Sequence, residues 1–378
     1  MNQATVEFRH VSKQYARQGA VVDLSLLVPA GDICVLVGPS GCGKTTSLKM
    51  VNRLVEPTSG QVLIDGEDVM SVEVTALRRR IGYVIQQIGL FPHQTIADNV
   101  ATVPRLLGWS RQRINKRTEE LLELVGLDPA RVRDRYPAQL SGGERQRVGV
   151  ARAMAAEPPV MLMDEPFGAV DPIVRERLQN EFLRLHRVLG TTVLFVTHDI
   201  DEAIKMGTRV AVMQQGGHLA QYAPPGELLL RPANDFVARF VGTDRGLKRL
   251  SLLTVSEVEP EPGVVARVGE LARVACQRAL EAESRWLLLL DRADRPLGWI
   301  RVDQITGDEP LGAEDVDASS PLVHAETTLR DALSMLLTSA VQTAVVVDER
   351  DRYVGVLTMD EIGAAFRSDQ RPEPAGVA

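Results

Sequence analysis

The stretch that decides the fold is GPSGCGKTT, residues 38–46, which directly follows the apolar run DICVLV, residues 32–37. The run predicts a buried β-strand, and KTTSLKMVNRLV behind the loop has helical periodicity. The loop matches Gly-x-x-x-x-Gly-Lys-[Ser/Thr] at Gly38, Gly43, Lys44 and Thr45. Glycines let consecutive backbone N–H groups converge on phosphate oxygens, and the helix that follows adds its positive end. The pattern therefore predicts a phosphate-binding loop, and the alternative is an ordinary tight turn.

A second motif supplies groups for hydrolysis. The apolar strand in PVMLMDEP, residues 159–166, ends at Asp164 and Glu165. Lys44 is expected to reach the β- and γ-phosphates, the Thr45 hydroxyl to bind Mg²⁺, and Asp164 to hold that ion through water. Glu165 is placed to orient and polarise the attacking water. Without the glycine loop, two acids after a strand would indicate only a solvated turn; with it, they indicate nucleotide hydrolysis with Mg²⁺.

Three further signals narrow the class of hydrolase. LSGGERQRV, residues 140–148, places Ser141, Gly142 and Gly143 at the predicted start of a helix, a second anion-binding position. His198 ends the strand TTVLFVTHD, where a histidine can contact a γ-phosphate or be merely structural. Gln86 lies where the sheet core meets a predicted helical insert.

Composition limits the possible partners. The 378 residues are enough for two or three domains, and 44% are hydrophobic and 25% charged, as in soluble globular proteins. No run of about 18 uncharged apolar residues and no secretory signal are visible. Three scattered cysteines suggest a reducing cytoplasm rather than disulfides or zinc. The net charge of −7 is concentrated after Gly242, where 15 Lys and Arg face 24 Asp and Glu, so nucleic acid is not expected as a partner.

The order of elements predicts the domain organisation. Apolar strands alternate with helices up to a boundary near Gly242, which implies a parallel α/β sheet. Beyond it, DRADRPLGWIRVDQI (291–305) and DERDRYVGVLTMDEI (348–362) repeat at an offset of 57 residues, indicating a pseudo-symmetric small domain. The predicted divisions are a nucleotide-binding domain (1–242), a linker (243–250), two repeats (251–306 and 315–367) and a disordered tail (368–378).

The order of loop, glutamine, LSGG, strand-Asp-Glu, GAVDP and histidine resembles the ATP-binding subunit of an ATP-binding cassette (ABC) transporter. The resemblance covers residues 1 to about 242. It implies an α/β P-loop NTPase fold with an antiparallel β subdomain and a helical subdomain. It also implies a head-to-tail homodimer, in which ATP lies between the loop of one subunit and the LSGG of the other.

The resemblance assigns roles to matching positions. It makes Glu165 the general base, His198 the γ-phosphate contact, Gln86 a Mg²⁺ ligand and coupling sensor, and Asp171 a cross-dimer contact. Tyr15 would stack on adenine, although packing is the alternative. The remaining ATP contacts that it implies are Gly38, Pro39, Ser40, Gly41, Cys42, Gly43, Lys44, Thr45 and Thr46 in one subunit and Ser141, Gly142 and Gly143 in the other.

Four segments narrow the resemblance to the ATPases of osmoprotectant uptake systems, which import quaternary amines such as glycine betaine, choline or carnitine. These segments are KMVNRLVEPTSG, YVIQQIGLFPH, FVTHDIDEA and VGTDRGLKRL. Those proteins carry a carboxy-terminal α+β pair of CBS motifs, which fits the repeat. In GVLTMD, Thr358 and Asp360 match a ribose-binding element, whereas Arg301 replaces the threonine in the first copy. A regulatory nucleotide or a structural, dimerising module are therefore both open.

This resemblance implies integral membrane permease subunits, an extracytoplasmic solute-binding protein and a location at the cytoplasmic face of the membrane. Two alternatives remain. One is an ABC importer for another small solute, such as an amino acid or a metal, against which the repeat argues. The other is a soluble cassette ATPase acting on ribosomes or DNA. Co-purification with a hydrophobic membrane partner, or with ribosomes or DNA, distinguishes these classes.

Overall fold

A computed structural model describes residues 3–16, 18–85, 89–168, 171–305 and 307–368. The chain divides into two compact units, Met1–Thr243 and Asp244–Ala378. Each unit has its own hydrophobic core and is described by itself.

The first unit contains two sheets. A four-stranded sheet in the order β2-β1-β4-β5 pairs antiparallel throughout. A six-stranded sheet in the order β10-β9-β3-β8-β7-β6 is parallel except for the edge strand β10. The strands are β1 (Val6–Tyr15), β2 (Gln18–Val28), β3 (Ile33–Val37), β4 (Ser59–Ile64), β5 (Glu67–Asp68), β6 (Ile81–Val84), β7 (Val160–Asp164), β8 (Thr192–Thr197), β9 (Arg209–Gln214) and β10 (His218–Ala223).

The apolar runs form the central strands because helices cover both faces of a parallel sheet, so each strand is buried on both sides. All five residues of β3 and of β7 are buried. Helix α1, which starts at the glycine loop, packs between the two sheets, and one continuous core joins them. The carboxyl ends of β3, β7 and β8 therefore meet at one edge, where Lys44, Asp164 and His198 follow.

Helices occupy the expected insert and flank the sheet. Helix α8 is capped at both ends, by Asp171 at its start and by Gly190 in the left-handed region at its end. The helices of this unit are α1 (Lys44–Val51), α2 (Val74–Arg79), α3 (Ile96–Val100), α4 (Thr102–Leu106), α5 (Arg111–Leu124), α6 (Pro129–Val132), α7 (Gly142–Met154), α8 (Pro172–Leu189), α9 (Ile200–Met206), α10 (Pro225–Leu230) and α11 (Asp235–Val241).

The second unit is built from two copies of one strand–helix–strand–strand motif. Each copy forms a three-stranded sheet with one parallel and one antiparallel pairing. The offset of 57 residues maps the pair Leu290–Pro296 onto Val347–Tyr353, and both sheets shift register there. The elements are α12 (Arg245–Leu250), β11 (Val265–Arg267), α13 (Ala272–Glu281), β12 (Trp286–Leu290), β13 (Pro296–Arg301), β14 (Leu322–Val323), α14 (Leu329–Thr338), β15 (Ala344–Val347), β16 (Tyr353–Leu357) and α15 (Met359–Ser368).

The predicted α/β class, with its antiparallel subdomain, helical insert and small α+β module, is confirmed. Residues 243–250, expected as a linker, contain helix α12, and Leu250 is part of a core of the second unit. The boundary between the two compact units along the chain lies between Thr243 and Asp244. Residues 369–378 of the predicted tail lie outside the described residues.

Candidate functional site

The glycine loop links β3 to α1 and has a shape that side chains would prevent. Gly38 and Gly43 both have positive φ, 153° and 94°. A Cβ at Gly43 would lie 2.2 Å from the Ala20 carbonyl oxygen, so the loop approaches the backbone of β2 closely. Gly43 is also the residue before α1, whose first N–H groups have no partner inside the helix. This geometry is that of a loop whose backbone donors point at a phosphate.

Lys44 is 7% exposed and is held inside the loop. Its Nζ donates to the carbonyl oxygens of Gly38 at 2.7 Å and Pro39 at 3.0 Å. A buried ammonium group requires such acceptors, because desolvation without them is costly. The bonds keep a positive charge beneath the loop.

Thr45 and Asp164 come together although they lie 119 positions apart. The Thr45 hydroxyl donates to Asp164 Oδ1 at 2.9 Å. Asp164 is 5% exposed, and burial raises the pKa of its carboxyl above the usual range, while the bond from Thr45 and the charge of Lys49 oppose that rise. A hydroxyl and a carboxylate side by side are the hard oxygen donors that Mg²⁺ prefers. Within the described ranges, no group of three or more His, Cys, Asp or Glu residues is arranged so that it could hold a metal ion.

Glu165 and His198 form the second pair at this sheet edge. Glu165 has φ 46°, in the left-handed region that is uncommon for residues other than glycine, and its N–H donates to the Val196 carbonyl at 3.0 Å. Its Oε1 lies 3.2 Å from His198 Nδ1. The backbone turn thus places the carboxylate beside His198, the residue that follows β8.

The glycine loop and Glu165 border an open cleft of about 500 Å³. Tyr15, at the end of β1, is 49% exposed and lines it, which leaves its ring available for stacking. Lys13 Nζ lies 5.1 Å from the centre of that ring. The lining residues are Tyr15, Gly19, Ala20, Ser40, Gly41, Cys42, Gly43, Lys44, Thr45, Thr46 and Glu165.

Ser141 caps helix α7 at a different place. Its backbone N–H and hydroxyl both donate to Glu144 Oε2 at 2.8 Å, and the Glu144 N–H donates back to the hydroxyl at 3.3 Å. The N–H of Ser141 is the main reason why the pKa of Glu144 is lowered. Ser141 and Gly142 are exposed. Asp171 caps the neighbouring helix α8 by accepting from the Val174 N–H at 3.1 Å.

One chain therefore brings together most, not all, of the predicted site. The loop, Tyr15, Asp164, Glu165 and His198 meet at one sheet edge. Ser141–Gly143 and Asp171 are not among the described residues that line the cleft. Gln86, predicted as a Mg²⁺ ligand and coupling sensor, lies outside the described residues.

Gly19 and Ala20 were missed as lining residues. They contribute mainly backbone, and the sequence signal was only a glycine shortly after Tyr15.

The candidate ribose-binding residues of the second unit, Thr358 and Asp360, form hydrogen bonds within their own turn. The Thr358 hydroxyl and N–H both donate to Glu361, and the Asp360 N–H donates to Thr358 Oγ1 at 3.2 Å. In the first copy, Arg301 forms an ion pair with Asp303. The two copies therefore differ in chemistry at matching positions.

Comparison with known proteins identifies the families that this chain resembles. A family model described as ABC transporter matches residues 21–168, and one described as CBS domain matches residues 313–367. The fold and the site thus define an ATP-binding cassette protein. Osmoprotectant import ATP-binding protein OsmV of Salmonella typhimurium is 46% identical, over 94% of this chain and 95% of that protein. The chain belongs to the family of ATP-binding subunits of ABC-type osmoprotectant importers, as predicted from the motifs.

Two further similarities agree with this assignment. Glycine betaine/carnitine/choline transport ATP-binding protein OpuCA of Bacillus subtilis is 42% identical, over 93% of this chain and 94% of that protein. The dimeric structure of a post-hydrolysis state of the ATP-binding cassette MJ0796, bound to ADP and Pi, is 33% identical with a TM-score of 0.53, covering 58% of this chain and 98% of that one. The chain is thus an ATP-binding protein that couples ATP hydrolysis to transport.

Among the described residues, no helix has both the length and the apolar character needed to cross a bilayer.

Proposed function

We propose that this chain is the ATP-hydrolysing subunit that drives import of a quaternary amine osmoprotectant, such as glycine betaine, choline or carnitine. The observation that carries the cargo assignment is similarity along more than nine-tenths of both chains to proteins named for osmoprotectant or for glycine betaine, carnitine and choline transport. The ATP cleft itself contributes nothing to this choice, because its residues face a nucleotide and not a cargo.

The chemistry follows from the residues at the sheet edge. Lys44 places its charge at the β- and γ-phosphates once its Nζ leaves the carbonyls of Gly38 and Pro39. The Thr45 hydroxyl and the Asp164 carboxylate would hold Mg²⁺, Asp164 through water. When bound, the ion would neutralise charge that develops on the phosphate oxygens.

Glu165 is the proposed general base. Its carboxylate accepts a proton from the water that attacks the γ-phosphate, a contribution of about 10²- to 10⁴-fold in rate. His198 Nδ1 lies 3.2 Å from Glu165 Oε1, and this contact orients the carboxylate. It also leaves the imidazole ring where it can contact the γ-phosphate. Tyr15 stacks on adenine from the rim of the cleft.

Two copies of the chain complete each site. Ser141, Gly142, Gly143 and Asp171 act on the nucleotide of the partner subunit, a proposal supported by the exposure of Ser141 and Gly142 and by the dimeric structure of the similar cassette MJ0796. The exposed start of α7 offers backbone N–H groups to a γ-phosphate, and the Ser141 hydroxyl can join them once it leaves Glu144. Closure of the dimer on ATP and reopening after hydrolysis drive the transport cycle.

The dimer works at the cytoplasmic face of the membrane with integral permease subunits and an extracytoplasmic solute-binding protein. Gln86 and the following IGLFPH remain the predicted contact through which closure reaches the permease. The second unit, with Thr358 and Asp360 as candidate ribose contacts, is proposed to tune transport rather than to catalyse a reaction.

Uptake measurements test the cargo. A strain lacking this chain is supplied with the wild type or with Glu165→Gln, and uptake of radiolabelled glycine betaine, choline and carnitine is recorded at low and high salt. We expect the wild type, but not Glu165→Gln, to restore uptake of at least one amine. Restored uptake of an amino acid or a metal ion without any amine would contradict the proposal.

Regulation is tested by removing the second unit. The chain should end at Thr243, because Leu250 of α12 belongs to a core of the second unit and would be exposed by a cut after it. ATP turnover should persist while its response to salt or added nucleotide changes. An unchanged response in the shortened chain would exclude the sensing function.

A further inference from the structure

A buried polar cluster includes Thr197, the residue that directly precedes His198. It consists of Gln179 on α8, Glu202 on α9 and Thr197 at the end of β8, which are 6%, 9% and 2% exposed. Gln179 Nε2 donates to Glu202 Oε1 at 3.0 Å, and the Thr197 side chain, like that of Gln179, lowers the pKa of this carboxyl. A carboxylate taken from water needs such partners, because burial of an unpaired one is costly.

The charges around Glu202 do not make it a simple ion pair. Burial is the main influence on its pKa and raises it, and Asp199 acts in the same direction. The side chains of Thr197 and Gln179 and the charge of Arg175 lower it. The hydrogen bond from the neutral Gln179 amide is therefore the contact that holds the carboxyl to a second helix. Such an arrangement specifies geometry more than it adds stability.

The cluster fixes the backbone on both sides of His198. Thr197 Oγ1 accepts from the Asp199 N–H at 3.1 Å, and Asp199 Oδ1 accepts from the Glu202 N–H at 3.3 Å. His198 itself is largely exposed, with 62% of its side chain accessible, and it extends to Glu165. Packing therefore does not hold the ring. Its direction depends on the backbone that Thr197 and Asp199 hold.

Gln179 connects the segment after His198 to helix α8 through its hydrogen bond to Glu202. Helix α8 begins after its cap Asp171, and Gln179 lies eight residues further along, about 12 Å at 1.5 Å per residue. The Gln179–Glu202 bond is thus a fixed point between α8 and the segment that carries His198. A displacement of α8 would reach His198 through this bond.

We propose that Glu202 is a positioning residue for ATP hydrolysis, which acts through His198, and that Gln179 links it to α8. The inference rests on the proposed function, because it requires that Glu165 and His198 act on ATP. The alternative is that the buried pair only attaches α9 to α8. In that case its loss lowers stability and leaves catalysis unchanged.

Kinetics on the full-length protein separate these alternatives. For Glu202→Ala we expect kcat for ATP hydrolysis to fall about 10-fold or more, with Kd for ATP within about 2-fold of the wild type. Glu202→Gln keeps an acceptor for Gln179 and should recover most of kcat. Leu185→Ala, a truncation of a buried residue on α8, the helix that carries Gln179, is the matched control and should lower Tm while keeping kcat.

A double-mutant cycle with His198→Ala gives the decisive measurement. If Glu202 acts through His198, kcat of the double variant should lie within about 2-fold of His198→Ala alone. Effects that multiply, or an unchanged kcat in Glu202→Ala, would overturn the proposal. If Glu202→Ala does not fold, Gln179→Leu takes its place in the same cycle with the same two outcomes. A wild type without ATPase activity would refute the proposed function, and this inference with it.

Discussion

The glycine loop allows a sharp prediction at Gly43. In Gly43→Ala, the added Cβ would lie 2.2 Å from the Ala20 carbonyl oxygen, about 1 Å closer than an ordinary contact. Both groups belong to backbone, of β2 and of the loop that starts α1, so neither can rotate away. The φ of 94° adds a cost of about 1–2 kcal/mol for any residue with a Cβ.

The expected result is a displaced loop and weak ATP binding. A shift of about 1 Å removes at least one hydrogen bond between a backbone N–H and a charged phosphate oxygen, worth about 1.5–3 kcal/mol. That corresponds to a loss of about 10- to 100-fold in affinity for ATP. The strain also lowers the free energy of unfolding, because the added Cβ meets backbone of β2 that must shift to make room for it.

Calorimetric titration with ATP and thermal melting measure the two effects. Gly60→Ala is the matched control, because its Cβ would also lie 2.2 Å from a backbone oxygen, that of His10, at a φ of 77°. Gly60 is in β4 and does not line the cleft, so this variant should lose stability but bind ATP as the wild type does. Wild-type affinity in Gly43→Ala, or an equal loss in both variants, would refute the reasoning.

Three other predictions follow from single contacts. Glu165→Gln should bind ATP but hydrolyse it at least about 100-fold more slowly, and unchanged steady-state phosphate release would disprove its assignment as base. Tyr15→Ala should weaken ATP binding by about 1–3 kcal/mol, whereas Tyr15→Trp should bind ATP as the wild type does. If Tyr15→Ala bound ATP with the affinity of the wild type, Tyr15 would have no stacking function. Burial raises the pKa of Cys34 to about 12, so little of its reactive thiolate forms below that pH. Iodoacetamide at about pH 8 should therefore modify the partly exposed Cys276 well before Cys34. Mass spectrometry that shows the reverse order of modification would contradict this.

Much of the fold follows from local patterns. The strands at β3, β7 and β8 could be predicted because each is a short apolar run before a chemistry-bearing residue, and the internal repeat was visible in its turn residues. Helix α12 was not predicted, because RGLKRL is short, carries charge at three of its six positions and contains a glycine, and Leu250 packs in a core of the second unit.

The candidate site divides in the same way. Contiguous residues determine the loop, because its glycines, lysine and threonine share one strand–helix junction. The cap of α7 is equally local, since Ser141 and Glu144 are three positions apart. Such features need no information about distant parts of the chain.

Only the tertiary structure decided which distant groups meet. Thr45 bonds Asp164 across 119 positions, Glu165 meets His198 across 33, and Gln179 meets Glu202 across 23. The parallel order of β3, β8 and β7 brings these strand ends to one edge, and packing of α8 against α9 buries the last pair. A sequence pattern records residue types and spacing along the chain, but burial and hydrogen bonding between separate elements arise only when the sheet assembles.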